Sequence, residues 1–465
     1  MSEDSSVAGL ASDLRGRVGA LRPGDRLPSS RELMRRHRVS PVTVSRALGL
    51  LAAEGLIVTR PGAGTYVADP PRGVAGAADL SWQTVALGER TIQADGVLRL
   101  LALPAPGVIP LAGGYLHQDL QPSRALGTAM ARASRRPDAW ERVPVAGLPE
   151  LRSWFARAVG GAATVDDVLI AGGGQAALSV AFRALAPPGA PVLVESPTYP
   201  GAMEIARAAG LRPVPVPMDD DGVLPELLAE AFAATGARVF HCQPLHANPT
   251  GAVLAPDRHE QVLAVARAAG AFVVEDDYAR YLSIEAPPPP LARYDAHGTV
   301  VHLASLTKAT APSMRIAALV ARGPVAERLR TAHAVDTFFV PRPLQEAALE
   351  LVSAPAWTRH LKSVAAHLRS RRNLLAAEVT ARLPGARLRP PAGGLHLWVR
   401  LPGWADDAAL ADEALRAGVV VTPGRLFYAA EPPGAYVRLA YGAAAETDLA
   451  EGVRRLATVW PTPTT

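Results

Sequence analysis

Apolar residues recur at helical spacing near the amino terminus. Val7, Leu10, Leu14 and Val18 predict a helix over residues 5–20, and Arg22-Pro23-Gly24-Asp25 ends it with turn formers. Leu27-Pro28-Ser29-Ser30-Arg31-Glu32 predicts a second start, with hydroxyl caps ahead of a short basic helix that runs to Arg38. Ser40 then suits an N-cap and Pro41 the first helical position, where its missing N–H is no loss. Val44, Ala47, Leu48 and Leu51 follow at i, i+3, i+4 and i+7, which predicts Thr43, Ser45 and Arg46 on the outward face. Gly55-Leu56-Ile57-Val58 and Gly64-Thr65-Tyr66-Val67 flank Arg60-Pro61-Gly62-Ala63, two short strands about a glycine-rich tip. Together these elements predict a helix-turn-helix followed by a wing.

From Ala68 to about Leu103 the pattern weakens. Asp69-Pro70-Pro71-Arg72-Gly73 and Gly76-Ala77-Ala78 read as connector, followed by a moderately apolar piece from Trp82 to Leu103. A flexible chain of about 35 residues spans roughly 30–35 Å on average. After Gly113-Gly114-Tyr115, helical stretches such as Pro256 to Ala269 alternate with short apolar runs. The runs are Pro191 to Glu195, Arg212 to Pro217, Arg238 to Gln243, Ala271 to Asp276, Thr299 to Ala304 and Ile316 to Ala321. Such alternation predicts an α/β domain whose mostly parallel sheet carries helices on both faces, with ligand chemistry at the carboxyl ends of the strands.

Composition sharpens this picture at two places. Only two of the 48 basic residues are lysines, Lys308 and Lys362, so the other 46 are arginines. Arginine stays protonated and forms no Schiff base, whereas a desolvated lysine amine does, so Lys308 at the end of an apolar run points to an aldehyde cofactor. Of the net charge of +5, four units lie in residues 1–68, where ten arginines face six acids. That excess makes nucleic acid the expected partner of the first segment. The single cysteine, Cys242, excludes an internal disulfide and suits a reducing cytoplasm. No apolar stretch reaches the roughly 18 residues of a membrane span, and the eleven histidines show no metal spacing.

The polar candidates gather at predicted strand ends. Gly172-Gly173-Gly174-Gln175 precedes a helix from Ala176 to Ala186, where backbone N–H groups and the helix dipole suit a phosphate. Ser196-Pro197-Thr198-Tyr199-Pro200 sets a tyrosine on a rigid loop, able to stack on a flat ring. Asn248-Pro249-Thr250-Gly251 is a turn that aims an amide from a strand end. Glu275-Asp276-Asp277-Tyr278 ends the central apolar run, and an Asp with a phenol nearby is what a protonated pyridine and its hydroxyl require. Ser305 and Arg315 flank Lys308 with a hydroxyl and a guanidinium suited to a phosphate. His246 reads as a hydrogen-bonded loop histidine rather than a proton shuttle.

The amino-terminal pattern resembles the GntR-type winged helix over its whole length. The later motifs, with Gly393-Gly394-Leu395-His396-Leu397-Trp398, occur in the order seen in fold-type I, aminotransferase-like proteins that bind pyridoxal 5'-phosphate. Nearly the whole chain therefore resembles the MocR subgroup of GntR regulators. The resemblance implies a winged helix over 1–68, a linker over 69–103 and an aminotransferase-like domain over 104–465, divided into a large subdomain to about 340 and a small C-terminal α+β subdomain. It implies Lys308 as the Schiff-base lysine, Asp276 on the pyridine nitrogen, and Tyr278 with Asn248 on the ring hydroxyl. Tyr199 would lie near the ring face, with Gly173, Gly174, Gln175, Ser305 and Arg315 around the phosphate. Arg438 would clamp a substrate or effector carboxylate. On the DNA side it implies Arg31, Ser40, Thr43, Arg46, Gly64 and Thr65. Pro41, Gly172 and Ala247 depart from the residues common in the family. The resulting expectation is a homodimeric, cytoplasmic transcriptional regulator that binds operator DNA and senses pyridoxal phosphate or an amino compound through an aldimine at Lys308. An active or bifunctional aminotransferase is the alternative, and vestigial cofactor binding a third reading.

Overall fold

A computed structural model describes residues 3–60, 63–69, 79–87 and 95–461. Pro61 and Gly62 of the expected wing tip, and most of the expected connector, lie outside them. The chain divides into two compact units, residues 1–91 and 92–465.

The first unit opens with helices α1 (Glu3–Gly19), α2 (Ser30–His37) and α3 (Pro41–Ala53). The antiparallel pair β1 (Ile57–Arg60) and β2 (Gly64–Val67) follows, and then the short helix α4 (Trp82–Leu87). Leu14, Leu33, Ala47, Leu51 and Ile57 form a dry centre among these elements, the ordinary result of apolar stripes at helical spacing. The Ser29 side chain caps α2 by accepting from the Glu32 N–H, and that of Ser40 caps α3 by accepting from the Thr43 N–H. Each cap satisfies an N–H that the first helical turn leaves open, a contribution of about 1 kcal/mol.

The second unit starts with α5 (Asp95–Leu101), β3 (Ile109–Pro110), α6 (Ser123–Ala133) and α7 (Pro149–Val159). Its centre is an eight-stranded sheet in the order β4-β11-β10-β9-β8-β5-β6-β7. The strands are β4 (Val168–Ala171), β5 (Pro191–Ser196), β6 (Arg212–Asp219), β7 (Gly222–Val223), β8 (Val239–Cys242), β9 (Phe272–Asp277), β10 (Val300–Ser305) and β11 (Ala317–Val320). The run from β10 through β9, β8 and β5 to β6 is parallel, while β11 is antiparallel to both β10 and β4. The helices interleaved with them are α8 (Gly174–Leu185), α9 (Pro200–Ala208), α10 (Pro225–Thr235), α11 (Pro256–Ala268), α12 (Leu291–Tyr294) and α13 (Pro324–Thr337). Two dry cores, one holding Phe182 and Val274 and the other Phe240 and Val273, pack against alternating residues of the same strands, so both faces of the sheet are covered.

A smaller layer completes the unit: α14 (Arg342–Ser353), the 28-residue α15 (Pro355–Arg382), α16 (Asp407–Arg416) and α17 (Glu446–Ala457). With them runs the sheet β12-β13-β16-β15, made of β12 (Arg387–Leu388), β13 (His396–Arg400), β15 (Thr422–Pro423) and β16 (Tyr436–Ala440). Separately, β14 (Val419–Val420) pairs with β3. One apolar cluster, including Leu111, Leu306, Leu395 and Leu449, joins this layer to the large one. No helix among the described residues is long and apolar enough to cross a membrane.

Candidate functional site

Lys308 follows β10 through a tight turn in which the Ser305 Oγ accepts the Thr307 N–H at 3.3 Å and the Thr310 hydroxyl donates to the Leu306 carbonyl at 2.8 Å. Its Nζ donates to the Gly114 carbonyl at 2.7 Å and lies 3.8 Å from the centre of the Tyr115 ring. An open cavity beside it leaves Lys308 half-buried, yet protein surrounds the amine closely. Desolvation, aided by the positive charge of Arg438, lowers its pKa to about 7 against the opposing pull of Asp276. A group that is ammonium elsewhere is here half free base near neutral pH, the state a nucleophilic amine needs.

Strand alternation sorts the acidic run that ends β9. Asp276 faces the cavity, where its Oδ2 accepts from the Gln243 side-chain amide at 2.7 Å. The oxygen of that amide accepts the Asn248 N–H at 2.9 Å, and the Gln243 backbone N–H donates to Glu195 at 2.8 Å. Burial, opposed by the Gln243 N–H and aided by Asp276, raises Glu195 to about 7. Glu275 and Asp277 point the other way. Glu275 accepts from His302 Nδ1 at 2.8 Å and from the Leu291 and Ala292 N–H groups, while Asp277 pairs with Arg280. These two carboxylates fix the proline-rich loop before α12 and have no access to the cavity.

The cavity, about 400 Å³, brings together Gly174, Gln175, Tyr199, Asn248, Asp276, Tyr278, Ser305, Lys308, Arg315 and Arg438. Gly173 sits beside it at φ 95°, and a Cβ there would lie 2.5 Å from the Arg315 guanidinium, so only glycine lets that side chain cross to the Gly172 carbonyl. The Tyr199 hydroxyl donates to the Gln175 side chain at 3.1 Å. Tyr278 donates to the His246 carbonyl at 2.9 Å. Arg438, 1% exposed, donates to Asn248 Oδ1 at 3.0 Å and to the Ala112 carbonyl at 2.7 Å, and burial lowers its pKa to about 10. Its Nε, though buried, has no partner among the described residues.

Some contributors carry no signal in the sequence. Gln243 ends a predicted strand but belongs to no motif, and Tyr115 follows two glycines far upstream of Lys308. Thr307 lines the cavity with a buried hydroxyl that has no hydrogen-bond partner among the described residues. Val97, Leu100 and Leu101 of α5 form an apolar wall. The Glu204 carboxylate of α9 holds that helix by accepting the Gly96 N–H at 3.0 Å and the Val97 N–H at 3.2 Å. His396 reaches the rim with its Nε2 3.2 Å from the Gly113 carbonyl, and burial depresses its pKa strongly.

In the first unit, Arg31, Ser40 and Arg46 are exposed, and Gly64 and Thr65 are half-buried on β2. Thr43 corrects the sequence reading. It is 3% exposed and faces inward, because its methyl group continues the stripe of Val44, Ala47 and Leu51 and its hydroxyl meets that of Ser40 at 2.9 Å. Ser40 spends its oxygen on the cap. Arg46 and Ser45 are left as the exposed polar residues of the second and third turns of α3.

Comparison with known proteins matches these two units to two families. Residues 107–456 match aminotransferase class I and II, and residues 13–67 match the gntR family of bacterial regulatory proteins. The HTH-type transcriptional regulator YdfD of Bacillus subtilis is 27% identical over 93% of this chain and 91% of its own. The 2-aminoadipate transaminase of Thermus thermophilus is 30% identical over 81% of this chain and 96% of its own. The crystal structure of the Thermus thermophilus α-aminoadipate aminotransferase LysN, complexed with N-(5'-phosphopyridoxyl)-L-leucine, superposes with a TM-score of 0.75 at 29% identity, covering 82% of this chain and 98% of that one. The cofactor of this fold is pyridoxal 5'-phosphate. The chain belongs to the aminotransferase class I and II family and carries a gntR-family DNA-binding domain in front of it, the architecture of MocR-type regulators.

Proposed function

We propose that this chain is a transcriptional regulator whose winged helix, 1–68, grips operator DNA while the domain from 104 to 465 senses pyridoxal phosphate or an amino compound through Lys308, with 69–103 as the joining segment. The observation that carries this reading is the Lys308 amine, its pKa lowered to about 7, facing Asp276 across a cavity of about 400 Å³ in a chain that begins with a gntR domain.

The residues present fit the cofactor. The Thr307 hydroxyl, without a partner among the described residues, joins Ser305, the Arg315 guanidinium and the first N–H groups of α8 in a donor set for a phosphate. Asp276, whose Oδ2 accepts from the Gln243 side-chain amide, suits a pyridine N–H, and Tyr199 and Tyr278 supply aromatic walls. When bound, the cofactor supplies an aldehyde that condenses with primary amines. Lys308 provides the resident amine. Were an amino compound's own amine to take its place, Lys308 would be free for the Gly114 carbonyl and the Tyr115 face, the contacts it makes at 2.7 Å and 3.8 Å. Arg438, which lines the cavity, holds the compound's carboxylate. The chain acts in the cytoplasm as a homodimer on paired half-sites, and Trp140, Val335 and Phe338, all more than 70% exposed, supply apolar surface for a second copy.

Transamination is the second reading, favoured by the same near-neutral amine. It requires Lys308 to carry protons repeatedly, whereas sensing requires only its release. Single-turnover absorbance with amino and keto acids separates the two, since rapid interconversion of the aldehyde and amine forms of the cofactor supports the enzyme. The sensor reading is tested by DNA binding of the Lys308→Ala protein. A normal response to amino compounds in that variant would overturn it.

A further inference from the structure

The cavity carries few charges, and each has a task. Among the described residues that line it, the acid is Asp276 and the cations are Lys308, Arg315 and Arg438. Asp276 is held at the wall by Gln243 at 2.7 Å and serves the pyridine nitrogen. Arg315 crosses to the Gly172 carbonyl at 3.0 Å, just before α8, and serves the phosphate. Lys308 supplies the resident amine. His396 also reaches the cavity, but burial drives its pKa down and leaves the imidazole neutral. Arg438 is thus the one cation among these residues left for an incoming carboxylate. An acidic side chain on the same compound finds no second cation there, and a basic one finds no second acid.

Much of the remaining wall is apolar. Val97, Leu100 and Leu101 of α5 line the cavity together with Leu178 of α8. Leu178 is buried, Val97 and Leu100 are half-buried and Leu101 is exposed, so the apolar surface runs from the interior to the rim. Glu204 holds α5 over the cavity through the Gly96 and Val97 N–H groups, at 3.0 Å and 3.2 Å. Against such a wall an apolar side chain gains by leaving water, whereas an ionised one loses its hydration and meets no partner.

We propose that the amino compound sensed here is an amino acid with an apolar side chain, its carboxylate on Arg438 and its side chain on the wall made by α5 and Leu178. This rests on the sensor reading above and narrows it, since the charges of the cavity disfavour dicarboxylic and dibasic amino acids.

The test is titration of the full-length protein, loaded with pyridoxal phosphate, with amino acids matched in shape, read as the apparent dissociation constant from the absorbance change of the bound cofactor. L-Leucine and L-aspartate share one branched outline, two methyl groups against two carboxylate oxygens. Leucine is expected to bind at least about thirtyfold more tightly, because aspartate buries a charge without a partner. L-Norleucine is expected to exceed L-lysine, which adds an ammonium to the same stem, and to exceed glycine, each by about tenfold or more. Aspartate, lysine or glycine binding as tightly as its apolar counterpart overturns the proposal. Leu100→Arg adds a cation to the wall and is expected to shift the leucine-to-aspartate preference toward aspartate by about tenfold or more. An unchanged preference overturns the assignment of α5 as the wall. Should that variant not fold, Leu100→Ala is expected to weaken leucine binding by about tenfold, and no loss overturns it likewise. The two readings fail separately. If no amino acid of any class alters the cofactor's absorbance, the sensor reading falls and this inference with it, whereas a response to aspartate equal to that to leucine leaves the sensor standing and removes only its apolar selectivity.

Discussion

The Gln243 side-chain amide donates to Asp276 at 2.7 Å, both residues nearly sealed from solvent. A neutral donor thus holds one oxygen of that carboxylate at the cavity wall. The cofactor's pyridine N–H requires an acceptor, and a cation in Gln243's place would compete for it.

Gln243→Glu follows directly from this contact. It replaces a donor by a carboxyl within hydrogen-bond reach of Asp276, and two carboxylates that close share a proton, so one of them loses its charge. Pyridoxal phosphate affinity is expected to fall by about tenfold to a hundredfold, and Gln243→Leu by less, since it removes a hydrogen bond without adding repulsion. Absorbance titration with pyridoxal phosphate measures both. Equal affinity for the parent and the glutamate variant would exclude Asp276 from the pyridine contact.

Lys308→Met tests the lowered amine pKa through stability rather than chemistry. In the unfolded chain this lysine titrates near its ordinary 10.5, and in the folded cofactor-free protein near 7. Between those values the unfolded state binds more protons, so Lys308 makes stability rise with pH across that window and leaves a constant penalty below it. Methionine removes the penalty. The cofactor-free variant is expected to be more stable than the parent at pH 6–7, by on the order of 3 kcal/mol, with the difference fading as pH approaches 10.5. Denaturant melts at a series of pH values provide the check. A gain independent of pH would mean that packing, not desolvation, is responsible.

Much of this site was legible in the sequence because its parts sit at strand ends. Lys308, Asp276, Asn248 and Ser305 each terminate or follow an apolar run, and the parallel order of β10, β9 and β8 brings those ends to one rim. β4, four residues long, carries too short a period to be separated from the glycine turn that follows it. The direction of β11 was hidden for another reason. An apolar run fixes that a strand is buried, not which way it runs, and this one enters antiparallel between β10 and β4. Gln243, Thr307 and Glu204 stayed invisible because their roles depend on partners 33 or more residues away or on a cavity that periodicity does not describe. Thr43 shows the limit within a single helix. Threonine is half methyl, and at the border of an apolar stripe its partner, here Ser40, decides which half turns inward.

Glu204 gives a test of how α5 is held over the cavity. Its carboxylate accepts two N–H groups at the helix start, charge-assisted bonds on the favourable side of the helix dipole. Glu204→Gln keeps the shape and drops the charge. Amide exchange at Val97 and the following residues of α5 is expected to speed by roughly tenfold, read by hydrogen exchange of the full-length protein. Protection unchanged in the variant would mean that Val97, Leu100 and Leu101 hold the helix by apolar contact alone.

The inward turn of Thr43 separates structural from DNA-contacting roles on α3. Arg46 is exposed on that helix and carries a charge that a phosphate can pair with, whereas Thr43 faces the dry core of the first unit. Arg46→Ala is therefore expected to weaken operator binding, and if its contact is to a phosphate, to reduce the slope of log affinity against log salt by about one. Thr43→Val keeps the shape and the methyl group and replaces only the hydroxyl that faces Ser40, so affinity is expected to change less than about threefold, with a stability loss of about 1 kcal/mol from the weakened cap. Fluorescence anisotropy on operator DNA at several salt concentrations, paired with a thermal melt of each variant, distinguishes the two. Loss of DNA binding in Thr43→Val without loss of stability would return that side chain to the recognition surface and contradict the burial seen here.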